Sequence, residues 1–218
     1  MNDKLGEIYE LRFSGYEDYR TKVWQILVNN FFNKWIRSDF EILDLGCGYG
    51  EFINQVNCST RYAMDLNPRT KDHLDKEIIF YEQDCSMPWE LKPSSLDLVF
   101  TSNFFEHLPN KSTLDSTVRN IYKALKPNGL LIAMGPNISI LKGQYWDFWD
   151  HHVALSEQSI SELLEINQFK IEKSVSQFLP YNMVRIKKRP LFLLKLYLKM
   201  PFAWKIFGKQ FLVTAKKA

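Results

Sequence analysis

A short apolar run, EILDL (Glu41–Leu45), passes directly into Gly46-Cys47-Gly48-Tyr49-Gly50. This junction constrains the fold more than any other feature of the chain. A strand that meets a glycine cluster reads as strand, tight loop, helix, because glycine permits dihedrals and approach distances that a Cβ blocks. The loop brings backbone very close to a ligand. Its spacing is not that of a dinucleotide site: G-x-G-x-x-G would put a glycine at position 51, where the chain has Glu51. Asp44 before the loop and Glu51 after it would oppose a pyrophosphate at a helix N-terminus. A ligand with a cationic head suits the loop better.

The rest of the chain alternates strand-like and helix-like runs. Val23, Ile26, Leu27, Phe31 and Trp35 fall at helical spacing within residues 16–37, so an amphipathic helix opens the fold. Strands are expected at 41–45, at 61–65 (RYAMD), at 77–81 (EIIFY), at 96–101 (LDLVFT) and at 130–134 (LLIAM). A helix over about 112–125 is stopped by Lys126-Pro127-Asn128-Gly129. Ser156 is a good N-cap for another helix, followed by strands at 170–174 and 210–215. The pattern predicts an α/β fold: a doubly wound, mostly parallel sheet of seven strands. An N-terminal helical cap over 1–38 precedes the body at 39–218, and a helical insertion at about 180–208 precedes the last strand. Periodicity does not fix that strand's direction.

Three carboxylates recur at expected strand ends: Asp44, Asp65 and Asp84. In a doubly wound sheet the C-terminal strand ends converge on one crevice. Asp65 lies 19 residues beyond Gly46, the distance at which an acid after strand two grips ribose hydroxyls. Taken with ILDLGCGYGEF (42–52), YAMDLNP (62–68), YEQDCSMPW (81–89), LDLVFTSNFFEHL (96–108) and ALKPNGLLIAMGPN (124–137), the chain resembles the class I S-adenosylmethionine (SAM)-dependent methyltransferases over about residues 40–140. The layout, with its FGKQ segment near the C-terminus, is similar to bacterial members.

The resemblance implies SAM as cofactor and assigns roles position by position. Asp44, Gly46, Cys47 and Gly48 cradle the methionine portion. Asp65 takes the ribose hydroxyls, and Leu66 packs on adenine. Asp84 accepts from the adenine amine while the Cys85 backbone N–H meets a ring nitrogen. Ser102, Asn103 and Phe104 flank the sulfonium and the transferred methyl.

A hydroxyl acceptor needs a base, and two histidine steps stand at suitable places. Glu106-His107 follows strand four, and His151-His152 follows an aromatic loop, QYWDFWDHH (144–152). An imidazole accepts a hydroxyl proton near neutral pH. Glu106, His107 and His152 are therefore the catalytic candidates for O-methylation of a small molecule or glycan. Rival readings are an N- or C-methyltransferase, an RNA methyltransferase and a non-catalytic SAM-binding module. A divalent metal on Glu106, His107 and His152 is similar to some O-methyltransferases that carry Glu-x-x-Glu-His, but Asn103 stands in place of the first Glu, and no metal is assigned.

The net charge of +3 conceals a division. Residues 1–172 carry 17 Lys/Arg and all 25 Asp/Glu; residues 173–218 carry 11 Lys/Arg and no acid. Lys188, Lys195 and Lys199, with Leu and Phe around them, suggest an interfacial helix, and an anionic or lipid-linked acceptor fits that mixture better than nucleic acid. Three scattered cysteines without metal-type spacing read as reduced thiols. No secretory signal opens the sequence, and the expected location is cytoplasmic, extending to the inner membrane surface.

Overall fold

The computed structural model describes residues 11–12, 14–180 and 188–218. Its centre is a seven-stranded sheet in the order β3-β2-β1-β4-β5-β7-β6. The strands are β1 (Glu41–Leu45), β2 (Thr60–Asp65), β3 (Ile79–Glu82), β4 (Leu96–Ser102), β5 (Leu125–Pro136), β6 (Phe169–Val175) and β7 (Gln210–Lys217). The first five pair in parallel, and β7 lies antiparallel between β5 and β6. The seven expected strands are all present, displaced by at most a few residues. β5 starts earlier than expected, at Leu125, and its pairing with β4 shifts register between Leu96 and Leu98. Asn128, at positive φ, takes up the irregularity.

The central strands are buried on both faces, so alternate residues feed two cores. Leu43, Leu45, Val99, Leu131 and Val213 face one core, covered by α2 (Lys111–Ala124) and α3 (Glu157–Ile166). Ile42, Phe100, Ile132 and Leu212 face the other, covered by α1 (Glu17–Asn30), α4 (Leu191–Leu198) and α5 (Pro201–Phe207). Helices on both faces make the sheet doubly wound. Ser156 caps α3 through a capping box, with its side chain accepting from Ser159 N and Ser159 Oγ accepting from Ser156 N.

Three local expectations are corrected. The first helix ends at Asn30 and continues as a tighter turn over Phe32–Trp35, because Phe31 and Phe32 turn inward onto Phe178, Trp204 and Phe100. No α-helix follows the glycine loop; only a 3₁₀ turn at Ile53–Gln55 lies there. The segment Asn54–Ser59 consists of Asn, Gln, Val, Asn, Cys and Ser, poor helix formers apart from Gln that favour turns. The lysine stripe is also interrupted. Pro190 caps α4, so Lys188 lies before the helix that carries Lys195. Part of the expected insertion, residues 181–187, falls outside the described residues.

Candidate active site

The ends of β1, β2 and β4 open onto a cavity of about 620 Å³ at the point where strand order reverses. Its lining includes Asp44, Gly46, Cys47, Gly48, Asp65, Leu66, Asp84, Cys85, Ser102, Asn103 and Phe104. Every residue expected to hold a cofactor therefore meets in one space.

The glycines have a direct geometric reason. Gly46, Gly48 and Gly50 take φ of 67°, 55° and 71°, the left-handed region that side chains disfavour. A Cβ on Gly46 would stand 2.1 Å from Phe104 Cγ, so the loop closes onto the second residue past β4. Gly46 N donates to Met64 O at 2.8 Å, which ties the loop to β2. Gly48 N donates to Asp65 Oδ2 (2.9 Å) and Asn67 N to Asp65 Oδ1 (2.9 Å). The backbone thus aims the Asp65 carboxylate and leaves further lone pairs for a ligand.

The electrostatics favour a cation. Asp44 is buried, and burial, reinforced by the Glu51 charge, pushes its carboxyl well above the usual carboxylate range. Burial raises Asp65 likewise, opposed by the backbone N–H groups of Asn67 and Gly48. Crowded acids in low dielectric gain most from an incoming positive charge. Arg20 already pairs with Glu51 (2.6 Å) from the α1 side. Asn103, held at φ 50° with its N–H on Met134 O (2.8 Å), offers a buried Oδ1 with no hydrogen-bond partner. At the far end Leu66 is 40% exposed beside Asp84. Asp84 Oδ1 accepts from Ser86 N and Oγ. The Cys85 thiol turns away to Thr117 (3.2 Å), so only its backbone can serve the cavity. Carboxylates, a close-approach loop and an orphaned amide oxygen fit a ligand with an ammonium group, a ribose and an adenine.

The histidines separate by burial. His107 lines the cavity with its side chain 25% exposed. Its Nδ1 meets Asp150 O at 2.9 Å and Asp150 Oδ2 at 3.2 Å. A carbonyl oxygen only accepts, so Nδ1 carries the proton and Nε2 is the available base. Burial lowers the His107 pKa, but hydrogen bonding to Asp150 and the Glu106 charge outweigh it, and the net shift is upward. Asp150 is itself held by Arg12. Burial would raise the Asp150 carboxyl; His107 and Arg12 bring it far below its ordinary value. His152 is exposed and lines the cavity, and its backbone N–H donates to Glu106 O (2.8 Å). His151 is buried against Phe148 and Tyr145, and burial lowers it to about 4. Arg12 and Asp150, sequence-distant members of the His107 chain, carried no signal of that role in the sequence.

Glu106 stands behind His107 rather than in the cavity lining. It is 1% exposed, its Oε1 lies 3.8 Å from His107 Nε2, and burial raises its carboxyl to about 7. Ligand atoms of Glu106, His107 and His151 lie within 4.8 Å of one another, so the trio that converges contains His151 where the sequence reading had His152. A carboxyl raised from 4.5 to about 7 on folding contributes stability that is complete below pH 4.5 and lost as the pH rises through about 7. Glu106→Gln mimics the protonated form. Wild type and variant are expected to unfold alike in denaturant near pH 4.5 and to diverge at higher pH. Above pH 7 the variant should lead by on the order of 3 kcal/mol. A constant gap across pH would contradict the placement.

A family profile described as a methyltransferase domain matches residues 16–174. An uncharacterized protein of Methanocaldococcus jannaschii is 31% identical over 159 residues, covering 71% of this chain. That match spans 65% of the relative's length. Among solved structures, a SAM-dependent methyltransferase of Archaeoglobus fulgidus superposes with a TM-score of 0.68 at 18% identity, covering 96% of this chain and 98% of that one. A Thermotoga maritima SAM-dependent methyltransferase, described as a candidate histamine N-methyltransferase, gives 0.69 at 15% identity over 97% and 99%. At such identities the two structures speak for the fold.

Proposed function

Because this chain belongs to the methyltransferase-domain family, in the class I SAM-dependent group, we propose that it methylates a hydroxyl of a small molecule or glycan, with His107 as the base. The observation that carries the reading is the Asp150–His107 pair in the same cavity as the cofactor residues. An orienting carboxylate fixes a tautomer and stabilises the imidazolium that forms, which a neutral amine acceptor does not require.

When bound, SAM supplies a methyl carbon activated by its sulfonium. The chain's own work is alignment and proton transfer. Asp44, Gly46, Cys47 and Gly48 would receive the methionine end. Asp65 would hold the ribose, and Leu66, Asp84 and the Cys85 backbone would hold the adenine. Ser102, Asn103 and Phe104 would flank the methyl group, and positioning there would provide much of the rate. His107 Nε2 would take the hydroxyl proton as the acceptor oxygen bonds to the methyl carbon and the carbon–sulfur bond breaks, with S-adenosylhomocysteine as the leaving group. Asp150 and Glu106 then face an imidazolium. Phe148 and Trp149, the latter 92% exposed at the cavity edge, suit a flat ring or sugar face.

The test is release of S-adenosylhomocysteine from matched acceptor panels. Hydroxylated sugars and phenols should support turnover that rises with pH, while primary amines of similar shape should not. Turnover with amines alone would overturn the hydroxyl assignment and leave the cofactor intact.

A further inference from the structure

The helices after β6 bury one side and leave the other bare. Leu198 of α4 and Ala203 and Trp204 of α5 are buried. Tyr197 O–H donates to Phe178 O (2.5 Å) and Trp204 Nε1 to Tyr197 O (2.9 Å), which fixes both helices on the body. Outward stand Phe192 (64% exposed), Leu196 (52%), Phe202 (63%) and Ile206 (67%). Each helix thus repeats an exposed aromatic followed four residues later by an exposed aliphatic, neighbours on one helical face. Exposed Lys195 and Lys199 flank the first pair and exposed Lys205 the second. With Leu193 and Phe207 the two short helices bear six large exposed hydrophobics, more than the scattered apolar residues of an ordinary surface.

The charge decides what covers this face. No Asp or Glu follows Glu172 in the sequence, so α4 and α5 themselves carry only basic charge beside their apolar pairs. Protein interfaces deplete lysine at their apolar centre. Interfacial helices combine Phe and Leu with Lys, because the apolar side enters the acyl boundary while ammonium groups meet lipid phosphates. Among the described residues, no helix is long and apolar enough to cross a membrane. We infer that the outer face of α4 and α5 docks on an anionic lipid surface. The segment entering α4 is tied to α1: Tyr19 O–H bonds with Arg189 O and its oxygen accepts from Arg189 N, both at 3.1 Å. The helix that carries Tyr19 also supplies Arg20 and Trp24 to the cavity wall. This inference does not depend on the hydroxyl chemistry proposed above.

The test is cosedimentation of the full chain with vesicles of phosphatidylcholine and phosphatidylglycerol, against phosphatidylcholine alone. Binding is expected only to the anionic vesicles and should weaken with salt. Combined Lys195→Gln, Lys199→Gln and Lys205→Gln should lower partitioning by on the order of a hundredfold, at roughly fivefold per basic contact. Phe202→Ser with Ile206→Ser should lower it at least ~10-fold. Calorimetric SAM affinity should be unchanged in both variants, which separates lost docking from lost folding. Equal binding to neutral vesicles, no binding to either kind, or a dimer that dissolves in Phe202→Ser/Ile206→Ser would each overturn the inference.

Discussion

Gly46→Ala is expected to abolish measurable SAM binding in calorimetric titration, while a Gly143→Ala control binds as wild type does. The new Cβ would lie 2.1 Å from Phe104 Cγ and 2.7 Å from Phe104 Cβ. Rotating the phenylalanine moves its ring but not its Cβ, so backbone must shift. Alanine at φ +67° adds roughly 1–2 kcal/mol of strain on top. The shift propagates to Gly48, whose N–H orients the Asp65 carboxylate at 2.9 Å. Losing two charge-assisted contacts to the ribose, at about 1.5–3 kcal/mol each, weakens binding by at least ~10²-fold. Gly50→Ala makes an instructive contrast. Its Cβ meets Leu74 Cδ2 at 2.4 Å, the far end of a flexible side chain, and the expected loss is about tenfold or less. Gly143 has open space around its Cβ position. Thermal melts separate binding from folding. Gly46→Ala affinity within about threefold of wild type would contradict the close-approach role.

Much of the cofactor half was legible because its signals are local. The runs at 41–45 and 96–101 are apolar enough to read as fully buried strands, and β1 and β4 occupy Glu41–Leu45 and Leu96–Ser102. A strand-end acid needs only its strand to be located, so Asp44, Asp65 and Asp84 could be brought to one crevice from spacing alone. The proton-transfer half is different in kind. Arg12 and Asp150 are 138 residues apart, and no periodicity joins them. Residues 144–152 form an irregular loop in which two adjacent histidines have opposite fates, His151 buried and His152 exposed. Burial there is set by Phe148 and Tyr145 packing on His151, a tertiary choice that sequence spacing does not encode. The missing helix after the glycine loop is an intermediate case. Asn, Val, Cys and Ser after Gln55 are poor helix formers, a local signal that the strand-loop-helix pattern does not include.

The second large effect is expected in the chemical step. His107→Ala should reduce turnover by roughly 10²–10⁴-fold, the usual contribution of a positioned general base, while SAM affinity stays near wild type. Because the pKa of His107 is raised by Asp150 and Glu106 against the effect of burial, wild-type kcat/KM should climb with pH through a value above 6.5, as the free base accumulates. Asp150→Asn removes the carboxylate charge beside Nδ1–H while the main-chain carbonyl of residue 150 still accepts from it, so part of the upward shift is lost and the limb should move to lower pH as the maximal rate falls. A role confined to packing would lower the rate without moving the limb. His152, exposed beside the same cavity, offers the decisive comparison. Its ring has no such carboxylate fixing its tautomer among the described residues, and His152→Ala is expected to cost less than about tenfold. If His107→Ala and His152→Ala both turn over like wild type, the base is absent and the hydroxyl reading falls with it. If His152→Ala alone shows the large loss, proton transfer belongs to the outer histidine, and Asp150 then serves to anchor Arg12 over the cavity rather than to tune a base.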